Sequence, residues 1–268
     1  MDVEFSITTD LAGQKRNVAT VFPAFRAAGF RAMHWCQDWT GEPVFYGEGF
    51  AEQVRQLADH NGLRVADIHG FSDSSSVGVE FTDELFLALN INRAQFAHHI
   101  GADCVVLHLP PRRTEDQPRA VEQSIAALKA LRGNFESLGV RAAVENLHRD
   151  VHDSAFFDQV LGEFDSGYLG LCYDSGHAIL HGQQGLLTRH GGRLIATHLH
   201  DNDGAGDQHR VPGEGKADWG AIVAALKACG YARTVNLEVH LPAGEDLEAF
   251  CRRCHGVIER VWRGGRTL

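Results

Sequence analysis

The sequence predicts an α/β protein, a single (β/α)8 TIM barrel, and three observations carry that expectation. Short apolar and β-branched runs alternate with longer segments of helical period from end to end. Eight such pairs fit within 268 residues. No linker, low-complexity stretch or shift of composition separates them, so residues 1–268 read as one domain.

Taken in order, VEFSIT (3–8) is the first strand and is followed by a helix near 17–28. RAMHW (31–35) leads to a helix near 49–61, and RVADIH (64–69) to one near 82–100 with Asp83 at a capping position. DCVVLHL (103–109) precedes a helix over 118–138. There Val121, Ile125, Leu128, Phe135 and Leu138 share one face while Glu122, Lys129 and Glu136 point elsewhere. VRAAVEN (140–146) precedes a helix near 153–164 begun by Asp153, and YLGLCYD (168–174) precedes one near 177–191. LIATHLH (194–200) and TVNLEVH (234–240) complete the strands, with helices near 218–229 and 245–263. Gly62, Gly101, Gly139 and Gly230 each fall between a helix and the next strand, where a left-handed residue ends a helix. Near-continuous apolar strands are those of a parallel sheet covered on both faces.

Thirty-five acids against 25 Lys and Arg leave a formal charge of −10, which repels a phosphate backbone unless basic residues cluster. They do not: pairs such as Arg112-Arg113 and Arg252-Arg253 read as solvated helix ends. A nucleic-acid partner is therefore disfavoured. The N-terminal MDVEFSITTD lacks a basic segment followed by an apolar run, and no stretch approaches the roughly 18 apolar residues of a membrane span. The expectation is a soluble, cytoplasmic protein without a membrane partner, with a homo-oligomer left open. Of six cysteines, Cys104 and Cys172 lie in apolar strands and read as buried hydrophobes. CRRCH (251–255) matches a haem-attachment pattern but lies in a charged helical segment with no export signal, so it reads as helix surface.

A barrel builds its active site at the C-terminal ends of its strands. Strand 3 ends in His69, strand 4 in His108, strand 5 in Glu145, strand 6 in Asp174, strand 7 in His198 and strand 8 in Glu238. Any one of these can be a hydrogen-bonded structural residue. Six converging on one rim would be costly to desolvate without a metal or one another. Mixed imidazole and carboxylate donors suit zinc, manganese, cobalt or iron better than calcium. Glu145, Asp174, His198 and Glu238 can enclose one cation, and His69 and His108 can form a second centre with Glu145 as a bridge.

The stretch HLHDNDGAGDQHRVPGEG (198–215) adds His200, Asp201, Asp203, Asp207 and His209, and CYDSGHA adds His177 three residues after Asp174. Asp207 and His209 alternate about one residue, so in an extended loop both point the same way, toward His177 if the loop folds over the mouth. A third metal, hydrogen bonds to substrate and plain solvation are the three readings of this outer group. PGEG lacks the lysine and hydroxyl residue of a phosphate loop and reads as a turn. Trp35, Trp39 and Phe71 follow or end strands 2 and 3 and can pack on the apolar face of a bound substrate.

At these residues the chain resembles the xylose-isomerase-like barrel superfamily, which includes sugar phosphate isomerases and epimerases and the AP endonuclease family 2, or endonuclease IV, type of nuclease. DIHGF, VVLHLP, AVENLH, CYDSGHA, HLHDNDGAGDQHRVPGEGKADW and NLEVH carry the resemblance over nearly the whole chain. In the epimerase branch it implies one divalent ion on Glu145, Asp174, His198 and Glu238. It also implies Glu145 and Glu238 as the acid–base pair, with His177 a residue that binds substrate oxygen. Ketose 3-epimerases of that branch carry an arginine in the strand 7 loop, where this chain has His209. In the nuclease branch the resemblance implies three zinc ions on His69, His108, Glu145, Asp174, His177, His198, Asp207, His209 and Glu238. The loops after strands 2 and 3 do not resemble those with which such nucleases enter DNA. The resulting expectation is an enzyme on a small keto-sugar or polyol, with one to three divalent ions, zinc or manganese. Glu145 and Glu238 are expected to be catalytic, and His177, His200, Trp35 and Phe71 to bind substrate. An abasic-site phosphodiesterase is the alternative.

Overall fold

A computed structural model describes residues 3–11, 18–36, 45–71, 81–147 and 149–264. Trp39 and much of the loops after the second and third strands lie outside the described residues. The strands are β1 (Phe5–Thr8), β2 (Ala32–Trp35), β3 (Arg64–His69), β4 (Cys104–Leu107), β5 (Arg141–Glu145), β6 (Leu169–Asp174), β7 (Leu194–His198) and β8 (Val235–Leu237). Every pair is parallel, in the order β7-β6-β5-β4-β3-β2-β1-β8. The ring closes where Leu199 bridges Leu237: Leu199 N–H donates to Asn236 O at 2.9 Å and Glu238 N–H to Leu199 O at 3.1 Å.

The helices among the described residues are α1 (Val18–Ala28), α2 (Glu48–His60), α3 (Asp83–Ile100), α4 (Gln117–Leu138), α5 (Ser154–Gly162), α6 (Ser175–His181), α7 (Leu186–His190), α8 (Trp219–Ala228) and α9 (Leu247–Trp262). Their starts follow from capping. Asp116, Asp153, Asp218 and Asp246 each accept a backbone N–H three residues on. Thr82, not Asp83, caps α3 by accepting from Leu85 N–H, leaving Asp83 and Glu84 in the first turn, where the helix dipole favours acids. Gly62, Gly101, Gly139 and Gly230 have φ of 62°, 81°, 68° and 74°, as their places after helices require.

The expected helix over 177–191 is instead two. Gly182 closes α6 in the left-handed region (φ 65°), and its neighbour Gln183 turns inward. Gln183 Oε1 accepts from Asn146 Nδ2 (3.0 Å), and its Nε2 donates to Leu147 O (3.1 Å) and His152 O (2.9 Å). A buried polar residue in need of partners thus overrides the helical period. The CRRCH segment is helical, but Cys251 and Cys254 are fully buried, and His255 packs on Phe5 and Phe30. The face read as helix surface is core, which also leaves no room for a haem.

Strand alternation sorts side chains into two sets. Val105, Leu107, Ala142, Val144, Leu171 and Tyr173 point outward into the main core against the helices. Cys104, Val106, Ala143, Cys172 and Ala196 point inward and fill the barrel with small groups. The inward parity continues into His69, Glu145, Asp174 and His198, and adjacent-strand register places Asp174 opposite His198.

Candidate metal centre

Glu145 is the hub of the rim. Its Oε2 lies 3.0 Å from His108 Nε2 and 3.9 Å from His69 Nε2. Its Oε1 lies 3.3 Å from His198 Nδ1 and 3.4 Å from His177 Nδ1. His198 Nδ1 is also 3.3 Å from Glu238 Oε2. Donor atoms of Glu145, Asp174, His198 and Glu238 all lie within 4.8 Å of one another, and all four residues are buried. His69, His108 and Glu145 form a second such group, with the two imidazole Nε2 atoms 3.2 Å apart.

Strand 6 and α6 fix Asp174 by construction. It is the last residue of β6 and the N-cap of α6, its Oδ1 accepting from His177 N–H at 2.6 Å. Asn146 pairs with its backbone on both sides: Asn146 Nδ2 donates to Asp174 O (2.9 Å), and Asp174 N–H donates to Asn146 Oδ1 (2.7 Å). Asp174 Oδ2 is left facing His200 Nε2 at 3.1 Å. His177 is held through Nδ1 by Asn146 O at 2.9 Å, and its Nε2 faces Asp207 Oδ2 at 3.2 Å.

The strand 7 loop divides by role. Asp201 Oδ1 accepts from Asn202 and Ala217 N–H, and Oδ2 from Gly213 N–H and Trp219 Nε1, so this carboxylate pins the loop. Asp203 is held by Gln208 and Arg210. Asp207 and His209 reach the mouth: His209 Nε2 is 3.3 Å from Asp207 Oδ2, and its Nδ1 donates to Glu238 O at 2.9 Å. His209 adopts φ 47°, and its ring stacks on His200 at 4.1 Å between centroids. PGEG forms turns leading to α8.

The charges follow from this geometry. Burial opposes ionisation of Glu145, but His198 and His108 outweigh it and hold the carboxyl well below the usual range. Burial pushes Glu238 up to about 8 despite His198 and His209. Burial and then His108 hold His69 well below its usual value, so it is a neutral imidazole with a lone pair to give. For His209, burial is outweighed by Asp207 and Glu238, and the imidazole rises to about 10.

The donor set fits a divalent cation. Among the described residues neither ring nitrogen of His198 makes a well-aligned hydrogen bond with nitrogen or oxygen, and Nδ1 of His200 is buried with no partner, although buried polar atoms ordinarily have one. The outer nitrogens of His69, His177 and His209 are fixed by backbone carbonyls, an arrangement that orients metal-binding imidazoles. A cavity of about 150 Å³ opens above, walled by His69, His108, His177, Asp207, His209 and the two glutamates, with Arg113 and Arg149 at its edge.

Trp35 is not among the donors. It falls on the opposite strand face and packs with Tyr46, Phe50 and Phe96. Phe71 is fully buried and stacks on Phe81 at 6.2 Å. The sequence reading missed His34 and Asp67, both buried and inward-facing. His34 Nδ1 faces Asp67 Oδ1 at 2.8 Å, and its ring lies 4.6 Å from that of His198. A signal existed for Asp67, which stands two residues before His69 and so shares its face. His34 was hidden because a register shift between Met33 and His34 moves the end of β2. Arg113 and Arg149 lie just beyond strands 4 and 5, where a basic residue after a rim donor was the available signal.

Residues 22–253 match the family model described as the xylose isomerase-like TIM barrel. An uncharacterised Sinorhizobium fredii protein, y4fM, is 30% identical over 88% of this chain and 86% of its own. A zinc-bound IolI protein superposes with a TM-score of 0.78 at 15% identity, over 99% of this chain and 100% of that one. The D-psicose 3-epimerase of Clostridium cellulolyticum, solved with D-tagatose, superposes with a TM-score of 0.73 at 15% identity, over 98% and 99%. Among the described residues no helix is long and apolar enough to cross a membrane. With eight parallel strands in a ring and a family match across most of its length, the chain belongs to the xylose isomerase-like TIM barrel family.

Proposed function

We propose that this protein is a divalent-metal-dependent isomerase or epimerase that moves a proton next to the carbonyl of a small keto-sugar or polyol derivative. The carrying observation is the buried group Glu145, Asp174, His198 and Glu238, whose donors lie within 4.8 Å of one another beneath the open cavity. These four residues would hold the ion, zinc or manganese, and His69, His108, Asp207 and His209 supply donors for one or two more. When bound, the ion supplies Lewis-acid polarisation of the carbonyl and the adjacent hydroxyl.

Glu145, at the end of β5, and Glu238, just after β8, both reach His198 Nδ1 at 3.3 Å and both line the cavity, so two carboxylates stand within reach of one bound substrate. One removes the proton and the other returns it. Both are buried, which excludes bulk water from the transferred proton. His177 and His200 orient substrate oxygen, each fixed through one ring nitrogen. Arg113 and Arg149 favour an anionic substituent at the cavity edge, a phosphate or carboxylate.

Deuterium uptake from D2O at the carbon beside the carbonyl, measured across a ketose panel with added zinc or manganese, tests this reading. Uptake should fall about 10²- to 10⁴-fold in Glu145→Gln and Glu238→Gln, the range in which removal of a general acid or base is felt. Absence of uptake with every ketose, together with chelator-sensitive cleavage of an abasic oligonucleotide, would overturn it. One observation favours that second reading, a metal-dependent phosphodiesterase: His69 and His108 converge on the same oxygen of Glu145, a second donor group beside the first.

A further inference from the structure

We propose that His34 is an additional inner ligand of the cation held at Glu145, Asp174, His198 and Glu238, and that Asp67 orients it. The proposal rests on the metal-dependent reading of those four residues. His34 is fully buried on β2, paired in register with Asp67 of β3, one pleat deeper than His69. Its Nδ1 is engaged by Asp67 Oδ1 at 2.8 Å. Its Nε2 has no hydrogen-bond partner among the described residues. A donor atom of His34 lies within 4.8 Å of donors on both His198 and Glu238, in a group that meets the four-residue set at these two residues and does not include Glu145 or Asp174, and the imidazole rings of His34 and His198 are 4.6 Å apart at 68°.

A carboxylate on one ring nitrogen with the other left free inside a ring of donors is the arrangement that a metal-binding histidine adopts. The carboxylate fixes the tautomer and raises the basicity of the free nitrogen. Asp67 is 3% exposed and His34 0%, so neither serves solubility, and an apolar pair would fill the same space without leaving a buried nitrogen unbonded. His34 also arrives from the Asp67 side of the barrel, so it leaves the cavity side of the centre to substrate. Adding a second imidazole to three carboxylates and His198 shifts preference toward zinc and cobalt and away from magnesium and manganese.

Wild type, His34→Gln, Asp67→Asn and Asp174→Asn are compared by chelator competition with zinc and with manganese. The imidazoles on substoichiometric zinc are counted by X-ray absorption. His34→Gln should weaken zinc about 10- to 100-fold, weaken manganese less, and remove one imidazole from the count. Asp67→Asn keeps the ring and should weaken zinc about tenfold with the count unchanged. Should His34→Gln fail the circular-dichroism check of folding, Asp67→Asn decides by the same affinity criterion. Zinc affinity within twofold of wild type and an unchanged imidazole count in folded His34→Gln, with Asp174→Asn impaired, would overturn the role of His34 alone. A wild-type protein that takes up no zinc, manganese or cobalt would overturn the metal reading as well.

Discussion

A Cβ placed on Gly176 would lie 1.9 Å from Cε1 of His200, the imidazole that faces Asp174 from across the rim. The smallest side chain must therefore displace the ring that faces the carboxylate proposed as a ligand. Gly176→Ala should lower stability by about 1 to 3 kcal/mol, as overpacking does. It should also weaken metal uptake by about tenfold or more, the scale of losing an outer-shell partner, checked by urea melts and chelator competition. His152 bears on acid stability instead. It is fully buried, its Nδ1 accepts from Leu147 N–H at 3.0 Å, and its Nε2 donates to Leu109 O at 2.6 Å. Burial, then Arg149, drives its pKa down to about 3. The unfolded chain then binds a proton below pH 6.5 that the folded chain refuses. Stability is full above that value and falls as pH drops toward 3, by at most about 1.4 kcal/mol per pH unit from this group. His152→Asn should show a shallower acid slope in urea melts taken from pH 7.5 to 4.5, and an unchanged slope would refute the assignment.

Elements were legible wherever period and caps agreed, and misread where a buried polar group overruled them. Eight strands and the long helices follow from alternation and from glycine stops, because those signals are local. The division of the segment after β6 into α6 and α7 was not legible, since the partners of Gln183 come from residues 146, 147 and 152. Likewise the charged look of α9 hid a core face holding Cys251 and Cys254. Gly133 is exposed in the middle of α4, and a methyl group added there would meet nothing within 4 Å. Gly133→Ala should therefore raise stability by about 1 kcal/mol through helix propensity, read from the midpoint of a urea melt. Asp201 gathers three backbone N–H groups and the Trp219 indole, so Asp201→Ala strands several buried donors. It should cost about 3 kcal/mol and loosen Asp207 and His209, read as a lower thermal midpoint and weaker metal binding.

For the whole molecule, a ligand that binds only the folded chain raises its stability by mass action. Zinc or manganese at a hundred times its dissociation constant should add about 2.7 kcal/mol to the unfolding free energy, and chelation should remove it. A melting curve that does not respond to either ion would contradict a metal centre at the rim. The eight-fold alternation, the barrel it implies and the ionisable residues at the ends of strands 3 to 8 could all be read along the chain. Those properties are written in local periodicity and in residue type at the end of each apolar run. Which of these side chains meet, and which polar residues merely hold the loop, emerged from the folded arrangement. It separated His200, Asp207 and His209 from Asp201 and Asp203 within one polar stretch, and it turned Trp35 outward while bringing His34 and Asp67 inside. Strand register accounts for the difference. A strand shows which residues share a face, but the shift at Met33 and His34 and the closure of β7 on β8 are settled by neighbouring strands distant in sequence.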